Sequence, residues 1–290
     1  MKKIVWLLMM VMMPMVMMPM VANAAFSRNV ALEDEDELFH RLDQYIARRD
    51  EFSSKKEKKL IRMKKKLNLT SDKRERLNLF NQIYREYYTY RYDSAMVYAN
   101  RGLQLAEQLH DAYYIDLNKI NRAAVLSTGG FYSQAEDLLL SLNPEDISPK
   151  LKQYYYYTLT WVYNYWESFC ERSEFKEGML DKKRLYLAKT LEYVGNKQSA
   201  LYYYLSGELE YLLHRTDKKV LDWYQKALAA SPVDSRVHAS SAYCIARYYH
   251  DNEQMDLYEK YLVEAAISDQ VCPLKENLAL QELSTYLYNK

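Results

Sequence analysis

The sequence predicts an all-α protein, a right-handed α-solenoid of stacked helix pairs preceded by a long N-terminal helix. Three observations support this fold class. Apolar residues recur every three or four positions through most of the chain, which is the spacing of helices and not of strands. Glycine and proline are scarce, six of each in 290 residues, as expected for helices joined by short turns. The segment Ser199–Pro232 contains two such helical patterns back to back, separated by a polar turn and ended by proline.

The N-terminal stretch differs in composition from the rest of the chain. A basic start, Met1–Lys3, precedes an uncharged, methionine-rich run from Ile4 to Val21, and Ala22–Ala24 then provides a small-x-small cleavage pattern. These features predict a signal peptide over residues 1–24, cleavage after Ala24, and an exported, periplasmic protein. The alternative is an uncleaved segment that anchors the chain in the inner membrane, because the uncharged run approaches the length that spans a bilayer.

A long helix is predicted over residues 25–69, before the repeats. Acidic residues open it at Glu33–Glu37 and basic residues end it at Lys55–Lys66, an order that complements the helix dipole. The basic block is interpreted as a solvated helix face, and a patch for anionic lipid or nucleic acid is the alternative. The repeat domain is predicted over residues 70–290. Its helix pairs and its final helix are expected at about 70–110, 112–143, 150–195, 199–231, 235–268 and 274–288.

Small residues stand in these pairs where two helices would cross closely. Alanines occupy such positions in the second, fourth and fifth pairs: Ala123, Ala135, Ala227 and Ala265. A larger side chain there would push the helices apart and open a cavity. Together with the turn at Gly130 and with Pro232, this pattern resembles that of tetratricopeptide repeats (TPRs). The steps between pairs are longer than the usual TPR period of about 34 residues, so armadillo and HEAT-like pairs remain the alternative.

The N-terminal helix and the last helix carry a closer resemblance. The residues concerned are Leu42, Asp43, Tyr45, Ile46, Arg49, Phe52, Lys55–Lys59 and Lys275–Leu283. They are similar to those of an uncharacterised family of membrane-anchored transcriptional regulators of Bacteroidetes. In that family, periplasmic repeats precede a membrane helix, a coiled coil and a cytoplasmic DNA-binding domain. The sequence ends at Lys290 without such segments, so the resemblance implies the sensor part of a regulator, a truncated member or a paralogue without output.

The sequence contains no recognisable residue set for catalysis, for a metal or for a cofactor. Its five histidines are isolated from one another and from the three cysteines, so metal-ligand spacings do not occur. Phosphate-binding loops and nucleophile motifs are missing too, and we expect neither an enzyme nor a cofactor. Acidic residues such as Glu208 are interpreted as solvated charges on helix faces. The odd number of cysteines favours buried free thiols over a full disulfide set.

The predicted function is binding by the inner face of the solenoid, as a sensing or scaffolding module. The first helices of the pairs line that face, and their aromatic side chains are candidate anchors for a protein or peptide partner in the cell envelope. The candidates are Tyr84, Tyr87, Tyr88, Tyr157, Trp161 and Tyr165, and each of them is alternatively a core residue. The net charge of +1 gives no reason to expect nucleic acid as a partner. A glycan or small ligand in the aromatic groove is a further alternative.

Overall fold

A computed structural model describes residues 35–170, 174–272 and 277–290. The predicted signal peptide lies outside these residues. The described part contains thirteen helices and no strand, which confirms the all-α class. Among the helices described, none combines the length and the hydropathy that crossing a bilayer requires.

The helices follow the predicted order of an N-terminal segment, five pairs and a final helix. The N-terminal segment forms α1 (Glu35–Ala47) and α2 (Arg49–Leu69). The pairs are α3 (Lys73–Tyr88) with α4 (Tyr92–Gln108), α5 (Ala112–Thr128) with α6 (Tyr132–Leu140), α7 (Pro149–Phe169) with α8 (Phe175–Tyr193), α9 (Ala200–Leu213) with α10 (Lys218–Ala229), and α11 (Arg236–Asp251) with α12 (Met255–Val271). The final helix is α13 (Leu278–Asn289).

Local side-chain chemistry determines where many of these helices begin. Helices α3, α5, α9, α10 and α11 each start after a residue whose side chain accepts a hydrogen bond from a backbone N–H of the first turn. These capping residues are Asp72, Asp111, Ser199, Asp217 and Ser235. Between α5 and α6 the chain turns at Gly130, whose φ of 84° lies in the left-handed region that favours glycine.

Close crossings within the pairs depend on small residues. Ala123, Ala135 and Ala227 are 0% exposed, and Ala265 is 1% exposed, so the alanines predicted at the crossings lie inside the protein. The crossing of α9 and α10 is close at Gly207 on α9. A Cβ atom added there would lie 2.6 Å from the ring of Tyr224 on α10, so this crossing requires glycine. The tetratricopeptide-like stacking predicted from the small residues is confirmed.

The N-terminal segment is divided at Arg48 instead of continuing as one long helix. Arg48 has a φ of −94° and a ψ of 5°, which interrupts the helix between α1 and α2. The break allows α1 to bury its apolar face on α12, where Leu38 and Leu42 join the core of the last pairs. An ion pair of 2.5 Å between Arg41 and Glu264 supports the same contact. Because α2 packs on α3 and touches α12, the two N-terminal helices connect the first pair with the last.

Candidate functional site

A cavity of about 270 Å³ lies at the centre of the array. Its walls come from the first helices of all five pairs and from the α3–α4 turn, α12 and α13. Aromatic rings supply much of this wall: Tyr88, Tyr92, Trp161, Tyr165, Tyr204 and Tyr243. The polar side chains between them include those of Asn164, Glu208, Arg236, Ser240, Arg247 and Asp269. The cavity is therefore an aromatic chamber with several hydrogen-bonding groups, and we refer to it as the central cavity.

Three of the six predicted anchor residues, Tyr88, Trp161 and Tyr165, line the central cavity. A fourth, Tyr157, is half-buried next to them on α7. The ring centroids of Tyr157 and Trp161 are 5.9 Å apart, and those of Trp161 and Tyr165 are also 5.9 Å apart. Helical spacing of four residues thus places three rings in a row along the inner side of α7.

The other two predicted anchors, Tyr84 and Tyr87, lie in the core, where each is only 2% exposed. The Tyr84 hydroxyl donates a hydrogen bond of 3.1 Å to the carbonyl oxygen of Asn121 on α5. The ring of Tyr87 stacks on Tyr98 of α4 with centroids 5.7 Å apart. Both side chains hold α3 against its neighbours, so a ligand in the central cavity would contact neither ring. Spacing alone does not separate them from Tyr88, because Tyr84 lies one helical turn before it and Tyr87 is its neighbour in the chain.

One side of the central cavity carries the guanidinium group of Arg236, the first residue of α11. The hydroxyls of Tyr88, Tyr157 and Tyr165 are its main electrostatic neighbours, and Tyr165 lies within hydrogen-bonding range. Burial raises the pKa of Tyr88 and of Tyr157, so both hydroxyls are neutral near pH 7 and can donate hydrogen bonds. Arg236 itself is an exposed residue.

Another side of the cavity contains a buried network around Glu208, which is 6% exposed. Its Oε1 atom accepts hydrogen bonds from the Tyr224 hydroxyl at 2.6 Å, the Arg247 guanidinium at 2.9 Å and the Cys244 thiol at 3.2 Å. Burial acts to raise the pKa of Glu208, but the charges of Arg247 and Lys183, with the hydrogen bonds, hold it below its ordinary value. The carboxylate is therefore ionised. The interpretation of Glu208 as a solvated surface charge is wrong, because its helix face points into the array.

This network balances the charge of Arg247 and fixes its position. The guanidinium lies 3.9 Å above the ring of Tyr211, in addition to its ion pair with Glu208. Arg236 differs, because no ion pair joins it to a carboxylate of any described residue. The nearby carboxyl of Asp269 is 8% exposed, and burial raises its pKa to about 7. Near neutral pH, Asp269 therefore carries only part of a negative charge.

The central cavity is also connected to the final helix. Tyr243, which lines the cavity, donates a hydrogen bond of 2.5 Å to one carboxylate oxygen of Glu282 on α13. The Tyr258 hydroxyl donates one of 2.8 Å to the other oxygen. The start of α13 contributes Leu278 and Ala279 directly to the wall. A ligand in the cavity would therefore touch α13 and also the residue that holds α13 in place.

The contribution of α11 to the cavity was not predicted from the sequence. Its cavity residues recur at helical spacing, and this stripe was the available indication: Arg236, Ser240, Tyr243, Cys244 and Arg247.

The described residues hold no group of three or more histidine, cysteine or acidic side chains that could bind a metal ion. The cysteines are free thiols in the structure; Cys244 is buried, and Cys170 and Cys272 are half-buried.

Helix pairs with small residues at their crossings, stacked around a central cavity, define this chain as a tetratricopeptide-type repeat protein. The sequence matches the family described as SusR N-terminal TPR domain over residues 46–290, and the chain belongs to that family. The resemblance to Bacteroidetes regulators is thereby confirmed. No curated protein matches the sequence.

Proposed function

We propose that this chain is the exported sensor module of a SusR-type regulator and that it binds a small saccharide in its central cavity. The observation that carries this proposal is the combination of aromatic rings and hydrogen-bonding side chains around one chamber. The faces of sugar rings present weakly positive C–H groups that pack on the negative faces of aromatic rings. The hydroxyls around the edge of the sugar ring need hydrogen-bonding partners. Asn164 and Ser240 in the cavity wall can provide them.

The dimensions of the cavity favour a small ligand over a peptide. A volume of about 270 Å³ is just below the range of roughly 300–1,000 Å³ that is typical of pockets for drug-sized ligands. A helix about 10 Å across does not fit such a space. The packing of α1 on α12 also joins the two ends of the array, which does not favour an open groove along the inner face.

Binding of a protein partner, the function predicted from the sequence, is the second candidate and would use the outer surface. Phe169 at the end of α7 is 76% exposed, and Phe131 before α6 is 47% exposed. The ring centroid of Tyr132 is 6.1 Å from that of Phe169, so these aromatic residues form a patch. Clustered exposed apolar residues favour protein contacts, and TPR domains generally mediate protein–protein interaction. A partner in the cell envelope would be recovered with the protein in a pull-down from an envelope fraction.

Export is supported by the composition of residues 1–24, which is that of a signal peptide. Mass measurement of the protein from the periplasm of an expressing cell tests this part. A mature chain that begins at Ala25 supports cleavage, whereas an intact N-terminus in the membrane fraction supports the anchor alternative.

Calorimetric titration with a panel of mono- and disaccharides, and with peptides as the contrast, tests the proposed site. We expect saccharide binding, and Trp161→Ala should weaken it about tenfold or more while leaving the helical circular dichroism unchanged. The matched control is Trp223→Ala on α10, where the ring stacks on Tyr203 with centroids 6.0 Å apart and does not line the cavity. This control should bind as the wild type does. Binding of peptides but of no saccharide would refute the proposal.

A further inference from the structure

The central cavity contains one positive charge that the described part of the protein leaves unbalanced. From this we infer that the natural ligand carries one carboxylate: the cavity takes an acidic sugar, a uronate, and Arg236 binds its acid group. This inference rests on the proposed saccharide site and specifies the class of its ligand.

Among the charged groups in the described cavity wall, Arg236 is the source of the unbalanced charge. Arg91 is paired with Glu57 at 2.7 Å, and Arg247 is paired with Glu208 at 2.9 Å. The main electrostatic neighbours of Arg236 are the hydroxyls of three tyrosines, and the buried carboxyl of Asp269 lies near it without forming an ion pair. A ligand that displaces water from this guanidinium must replace its hydration, and a neutral ligand does so less completely than an anion.

The surroundings of Arg236 suit a carboxylate. A guanidinium presents two parallel N–H donors that match the two oxygens of a carboxylate. The hydroxyls of Tyr88, Tyr157 and Tyr165 interact with the same guanidinium, and Tyr88 and Tyr165, which line the cavity, add further hydrogen-bonding groups. The rings of Trp161 and Tyr165 also line the cavity, where they can receive the face of the sugar that carries the acid group.

The same wall argues against a more highly charged ligand such as a sugar phosphate. Glu208 is ionised and Asp269 is partly so, and both line the cavity. A dianion would be repelled by these carboxylates and, in the part of the wall that the structure describes, would find a single cation without an ion pair. A single negative charge matches the single unbalanced guanidinium.

Calorimetric titration with matched sugar pairs tests this inference on the full mature chain. Galacturonate is compared with galactose, and glucuronate with glucose, because the members of each pair differ only in the oxidation of one carbon. We expect at least one uronate to bind tenfold or more tightly than its neutral partner. Arg236→Gln should remove that preference and leave the binding of neutral sugars unchanged, and Arg236→Lys should retain part of it. The control Arg101→Gln, at an exposed arginine on α4, should behave as the wild type does.

The outcomes separate this inference from the proposed function. Neutral sugars that bind as tightly as the uronates would overturn the inference and leave the saccharide site standing. Failure of both classes to bind would overturn both.

A second measurement does not depend on the choice of sugar. The fluorescence of Trp161 is taken as the difference between the wild type and Trp161→Phe. We compare how strongly the anion iodide quenches this fluorescence with how strongly neutral acrylamide does. The ratio of iodide quenching to acrylamide quenching should be higher with Arg236 present than in Arg236→Gln. Equal relative quenching in the two proteins would contradict the unbalanced charge, and circular dichroism of Arg236→Gln verifies that the variant is folded.

Discussion

Gly207→Ala should destabilise the protein, because α9 and α10 approach too closely at this position for any side chain. The added Cβ would lie 2.6 Å from two ring carbons of Tyr224, and ordinary contact begins at 3.4 Å. The ring is 0% exposed and its hydroxyl is bonded to Glu208 at 2.6 Å, so it cannot move aside without disturbing the buried network. Overpacking costs about 1–3 kcal/mol. A weakened hydrogen bond to a charged group costs about 1.5–3 kcal/mol.

Against these costs, alanine gains about 1 kcal/mol over glycine in helix propensity. We therefore expect a net loss of about 1.5–5 kcal/mol in the free energy of unfolding. Urea unfolding followed by far-ultraviolet circular dichroism measures it. The matched control is Gly178→Ala on α8, where an added Cβ meets nothing within 4 Å and should stabilise the protein by about 0.5–1 kcal/mol.

A second background isolates the contact with the ring. In a Tyr224→Leu protein the aromatic ring is gone, so Gly207→Ala should no longer cost stability there. If Gly207→Ala is as stable as the wild type in the native background, the close crossing between α9 and α10 is refuted.

Three further predictions concern single sites. Burial raises the pKa of Asp269 to about 7, so the folded state binds this proton more tightly than the unfolded chain, and stability should fall as pH rises from about 4 to 7. Asp269→Asn should reduce that fall, and an unchanged pH profile would contradict the assignment. Leu42→Ala should cost about 2–4 kcal/mol, because this 4%-exposed side chain anchors α1 on α12. Ile46→Ala, at a 38%-exposed position on the same helix, should cost less than about 1 kcal/mol, and equal losses would refute the anchoring role. Burial raises the pKa of the Cys244 thiol, so Cys244→Ala should leave the number of thiols that react in the native state unchanged; loss of one reactive thiol would contradict this.

The helical fold follows from the sequence because its determinants are local. Apolar spacing specifies helices, capping residues such as Ser199 and Asp217 mark where they begin, and small residues such as Ala227 mark where they cross. Each of these features acts within one pair of helices. The pattern could therefore be recognised without knowing how the pairs stack.

The composition of the cavity could be predicted only in part, because it depends on contacts between distant segments. Trp161 and Tyr165 were identified from their position on a first helix. Glu208 looked like a surface charge, since its partner Arg247 lies 39 positions away in the chain. The contact of Arg41 with Glu264 is separated by 223 positions, and no periodicity in either helix indicates it.

The most direct test of the ligand site is amide hydrogen exchange with and without a saturating amount of the tightest-binding sugar. We expect slower exchange in α7 around Trp161 and in the first turns of α11 around Arg236, with no change in α10. Protection confined to outer helices such as α6 and α10, while α7 and α11 exchange as before, would contradict the central cavity as the site.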